Sequence, residues 1–212
     1  PRPSPAASLP RAAALTLCKF MCISSEYCEA NLGLLLHILR TSKDAVVRAN
    51  AVIGLGDVAV CFGTLVDENS ERLFAGLGDA DLGVKKNTLM VLTHLILNGM
   101  IKVKGQLGEL AKCLEDDEMR VSDLAKLFFS ELAMKENAVY NHLPDIISHL
   151  STGEHAVDET TFMNTMRFIF TFIDKERQAE NVIEKLCQRF RLTTEERLSL
   201  IHISEPTRLL SI

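Results

Sequence analysis

The residues of this 212-residue chain best suited to hold a metal or to act as a nucleophile are six histidines and six cysteines. A zinc site wants ligands about four apart on a helix, or cysteines paired as C-x-x-C. His142 and His149 stand seven apart with Asp145 between them, and no further ligand lies close in sequence. Cys18 and Cys22 are four apart, yet Cys28 falls in an expected turn and no histidine is near. Cys61, Cys113 and Cys187 are isolated, and most of the six sit among Leu, Phe, Val and Ala. They read as reduced core thiols of an intracellular protein, with no neighbouring base to activate them. His94, inside VLTHLILN, reads as a core or interhelix histidine. Gly54, Gly56, Gly76, Gly78 and Gly83 are too loosely spaced for a phosphate-cradling loop and precede no Gly-Lys-Ser. The expectation is no catalytic residue, no cofactor and no metal.

Charge offers a different kind of chemistry. Arg48, Lys85 and Lys86, with Lys102 and Lys104 in IKVKG, are candidates for contact with phosphates or an acidic partner. Arg48 and Lys85 are 37 residues apart, and the next position in that series, Ser122, ends the basic row. The run Glu115-Asp116-Asp117-Glu118 would repel phosphates on a shared face and reads as a turn. A net charge of −5 and a pI of 5.7 exclude a bulk-basic nucleic-acid binder.

The elements that carry these residues follow a repeat. Val47, Ala51, Leu55 and Val58 are spaced four, four and three, one face of a helix. Adding 37 gives Val84, Thr88, Leu92 and Leu95; adding it again gives Val121, Ala125, Phe129 and Leu132. Acidic residues precede each series at Asp44, Asp81 and Glu118, where a carboxylate meets the free N–H groups of a helix start. Leu36, Leu73, Leu110 and Ile147 keep the same step in a shorter preceding helix. Helix pairs with these buried stripes must stack on one another, so the expected fold is all-α, an α-solenoid of HEAT-like helix pairs.

Along the chain the spacing predicts helices over 11–23, 29–40, 45–62, 69–78, 82–98, 104–114, 118–134, 137–150, 157–173 and 175–190, another starting near Thr194, and a kink or a break at Leu143-Pro144. Residues 1–10 are expected to be a frayed or foreign segment and 11–198 the solenoid. The stretch 199–212, SLIHISEPTRLLSI, continues no amphipathic pattern and reads as a non-native tail. A first residue other than Met is expected of a piece of a longer protein. No apolar run approaches membrane-spanning length.

Beyond the repeat, LTLCKFMCISSEYC at 15–28, LMVLTHLILNGMIKVKGQLGELAKCLED at 89–116, DLAKLFFSELAMKENAVYNHLPDIISHLS at 123–151 and EKLCQRFR at 184–191 resemble the C-terminal region of the HEAT-repeat subunits of condensin I. That resemblance covers about 11–198. It implies a non-enzymatic scaffold of the nucleus, chromosome and cytoplasm. It also implies kleisin and SMC ATPase subunits as partners, chromatin (DNA or histones) as a further contact, and no membrane or small-molecule substrate. The competing reading is a HEAT adaptor for nuclear transport or a phosphatase.

Overall fold

The computed structural model describes residues 5–103, 105–135 and 137–191, in which eleven α-helices and three short 3-10 turns, and no strands, are found. The chain divides into two compact units, one ending at Val103 and the other beginning at Lys104. Each is a stretch of α-solenoid.

In the first unit, α1 (Pro5–Met21), α3 (Ala45–Cys61) and α6 (Leu82–Leu97) lie side by side as one layer. Helix α2 (Ser25–Thr41) packs across α1 and α3. The corresponding partner of α6 is broken into α4 (Gly63–Asp67), α5 (Ser70–Phe74) and a 3-10 turn at Ala75–Gly78, where a single helix over 69–78 was expected. Asn69 causes the interruption, because its side-chain amide donates to the Leu65 carbonyl and closes α4. Helix α1 starts at Pro5, ahead of the expected Arg11.

In the second unit, α7 (Leu107–Lys112) continues into a 3-10 turn at Cys113–Glu115. Then come α8 (Met119–Ala133), α9 (Ala138–Ser151), a 3-10 turn at Gly153–His155, α10 (Glu159–Phe170) and α11 (Glu176–Arg191). Of the kink or break expected at Leu143-Pro144, the break does not occur: α9 runs through Pro144. Leu143, Ile146, Ile147 and Leu150 are all buried around it, and their burial outweighs one lost backbone bond. The helix expected near Thr194 and the tail lie outside the described residues.

All twelve positions of the 37-residue series are buried: Val47, Ala51, Leu55 and Val58 in α3, Val84, Thr88, Leu92 and Leu95 in α6, and Val121, Ala125, Phe129 and Leu132 in α8. Thr88, the single polar member, satisfies its hydroxyl by donating to the Val84 carbonyl at 2.9 Å. Leu36, Leu73, Leu110 and Ile147 are buried as well. Asp44 accepts from the Val46 N–H at 2.9 Å and Asp81 from the Val84 N–H at 3.0 Å, each capping its helix. Glu118 occupies the same place before α8 without a side-chain cap bond.

A candidate partner-binding surface

Arg48 projects from the first turn of α3, and its guanidinium is committed within the protein. Nε and Nη2 donate to the two carboxylate oxygens of Asp79 at 2.7 and 2.8 Å, and Nη1 donates to the Ser42 carbonyl at 2.8 Å. This fork ties α3 to the turn before α6, where Asp79 also accepts the Asp81 N–H at 2.8 Å. The Arg48 hydrogen bonds, set against a smaller desolvation penalty, hold the Asp79 carboxyl below its ordinary range.

One period earlier, Arg11 makes the same fork to Asp44 at 2.6 and 3.2 Å. One period later than Arg48, Lys85 is half-buried and engaged. A further step on, the Ser122 hydroxyl is buried and donates to the Leu114 carbonyl at 2.7 Å. At Arg11, Arg48 and Ser122 this repeat position is therefore a seam that stitches a helix to a neighbouring turn. Arg11 was the missed member, and its distance of 37 from Arg48 was the signal available.

The other basic residues face outward in different degrees. Lys86 is half-buried, and Lys102 is exposed at the end of the turn after α6, with its backbone N–H held by the Asp67 carboxylate at 2.7 Å. Lys104 lies outside the described residues. Two exposed arginines that sequence spacing did not single out, Arg40 of α2 and Arg72 of α5, line a groove of about 560 Å³ with His37, Arg48 and Asp79. Arg40 stands on the 17-residue α2 and Arg72 on the 5-residue α5, and they hold no equivalent repeat position. Only packing brings them to one groove.

The same layer carries an apolar strip. Ile53 of α3 and Met90 of α6, one period apart, are 43% and 54% exposed, and Leu127 of α8 holds the equivalent position at 55%. Asn50 and Asn87, three residues before Ile53 and Met90, are half-buried. Large apolar side chains repeated in register at solvent suit contact with a protein chain.

Two neighbouring thiols are held in the protonated form. Burial first, then the neighbouring Cys22 and Asp57, push the Cys18 thiol up to about 11. Burial and a hydrogen bond with Cys61 do the same for Cys22, also to about 11. Cys18, Cys28 and Cys113 are buried as expected, whereas Cys61 and Cys187 are exposed. His94 is exposed on α6 and paired with Asn98, so the expectation of a core histidine there fails. The acidic run forms a turn as expected. Asp116 accepts the Glu118 N–H at 3.0 Å, and Glu115 accepts from Asn164 at 3.0 Å.

A family model described as non-SMC mitotic condensation complex subunit 1 matches residues 46–202. The chain belongs to that family. Condensin complex subunit 1 of Saccharomyces cerevisiae is 50% identical over 183 residues, which cover 86% of this chain and 16% of the yeast protein. Human condensin complex subunit 1 is 46% identical over 189 residues, 89% of this chain and 14% of the human protein. The chain thus spans a small part of the length of its condensin relatives. A designed armadillo repeat protein aligns with a TM-score of 0.49 at 15% identity, over 92% of this chain and 91% of its own. The condensin resemblance read from the four quoted stretches is met.

Proposed function

We propose that this condensin-family segment is a non-catalytic scaffold that binds the kleisin and SMC ATPase subunits of condensin and acts in mitotic chromosome condensation, working in nucleus and cytoplasm and on chromosomes. The observation that carries the reading is identity of 46–50% with condensin subunit 1 proteins across nearly the whole chain. The seam supports a rigid role. Its charged groups are spent on holding helix pairs in register, which leaves a fixed surface for partners.

On that surface the apolar strip of Ile53 and Met90 suits a protein partner. Lys86 and Lys102, and separately the groove arginines Arg40 and Arg72, suit contact with chromatin through the phosphates of DNA. Arg48 contributes through the frame beneath them. No helix among the described residues is long and apolar enough to cross a membrane.

The deciding experiment is purification of the tagged full-length parent from mitotic cells, with partners identified by mass spectrometry. Two SMC ATPases, a kleisin and a second HEAT subunit are expected in stoichiometric amounts. Transport factors or a phosphatase in their place would overturn the reading.

The DNA contact has its own test. Reversing Lys85, Lys86, Lys102 and Lys104 to Glu weakens DNA binding and flattens its salt dependence by roughly 0.9 in slope per lost phosphate contact. Arg40→Glu with Arg72→Glu does the same if the groove takes part. An unchanged salt slope in both variants removes DNA from the proposal and leaves the protein partners.

A further inference from the structure

The second unit gathers three metal-ligating side chains that sequence spacing keeps apart. Glu109 stands on α7, His149 in the last turn of α9, and His155 in the 3-10 turn that follows. Their ligand atoms all lie within 4.8 Å of one another. Glu109 Oε1 is 2.7 Å from His149 Nε2 and 2.9 Å from His155 Nδ1, and the two imidazole rings stack at 4.6 Å between centroids. We propose that Glu109, His149 and His155 form a site for a divalent transition-metal ion, Zn²⁺ by ligand type, with water completing a tetrahedron.

Two features show the arrangement to be built rather than accidental. A Cβ at position 108 would overlap the His149 ring, so only the glycine present there lets the imidazole lie over α7 and reach Glu109. Gly153, at φ +78°, turns the chain back over the end of α9 and delivers His155. Backbone bonds from Thr152 to Ser148 and from Val157 to Leu150 fix that loop.

Two imidazoles and one carboxylate are a common zinc set with an open position. At tetrahedral metal–ligand distances of about 2.0–2.2 Å the ligand atoms stand roughly 3.3–3.6 Å apart, so Glu109 Oε1 must draw back from both nitrogens by roughly 0.4–0.9 Å through side-chain rotation. Lys112 Nζ, now 3.1 Å from Glu109 Oε1, keeps a partner by moving to the second carboxylate oxygen. The imidazoles ligate through their lone-pair nitrogens. The ion would clamp α7 to the end of α9.

The test is a titration of the full 212-residue chain with Co²⁺ alone, then displacement by Zn²⁺. One equivalent is expected to give visible d–d bands of a four-coordinate ion without the intense near-ultraviolet bands of a thiolate ligand. His155 is exposed, so His155→Ala and His155→Asn leave the core intact, and both weaken binding at least ~10-fold. Glu109→Gln does the same. In parallel, Zn²⁺ raises the melting temperature of the parent chain and leaves that of the His155 variants where it was. No uptake by the parent chain, thiolate bands, or undiminished uptake by both His155 variants would each overturn the proposal.

Discussion

Arg48 illustrates how a residue that looks like a contact group can serve the frame. Its side chain is 16% exposed and that of Asp79 14%, so solvent screens the pair only in part. Arg48→Ala strands the Asp79 carboxylate beside the turn, and the expected loss is about 1–3 kcal/mol in chemical denaturation. A loss within error of zero would mean that water replaces the guanidinium without cost. The same pair sets an acid limit. Because Arg48 holds the Asp79 carboxyl below its ordinary 3.8, the folded state binds that proton less readily than the unfolded chain. The stabilisation is complete above that ordinary value and is lost as pH falls through the lower folded value. An Asp79→Asn chain should therefore show a shallower decline of melting temperature on acidification than the parent.

At the scale of elements, much was legible. Helices α3, α6 and α8 begin within a residue of where the acidic caps at Asp44, Asp81 and Glu118 place them, because cap chemistry and the 4-4-3 apolar spacing mark the same boundary. The shorter partner helices were legible in their buried leucines and not in their extents. Over 63–78 no single apolar stripe persists, and side-chain-to-backbone bonds at Asn69 decide where α4 stops. The candidate metal site was not legible at all. Glu109 and His149 are 40 residues apart, and only the packing of α7 on α9 brings them together. The groove arginines were hidden for the same reason. Packing also sets the cost of core change. Phe129 is fully buried in α8 against Phe128 at 5.1 Å between ring centroids, so Phe129→Ala should cost about 3–5 kcal/mol by denaturant titration.

At the scale of the whole molecule, the repeat makes length itself a variable. Asp44 and Asp81 are each followed by the start of an equivalent helix, and Arg48 and Asp79 fall between those two marks. Excising residues 45–81, one full period, joins Asp44 to Leu82. The junction keeps the acidic cap, the Arg11 fork to Asp44 and the buried stripe. Both halves of the Arg48–Asp79 fork leave together, so no charge is orphaned. The excised chain should retain its helicity per residue by circular dichroism and melt cooperatively, at a lower temperature because one layer is gone. Removing residues 45–74 instead puts Ala75 after Asp44 and keeps Asp79 without Arg48; that chain should lose cooperativity. If the two deletions behaved alike, the register between pairs would be of no account. If they differ, the array resembles a ruler cut only at its marks, and proteins built this way can lengthen or shorten by whole divisions while every surviving joint stays the one it was.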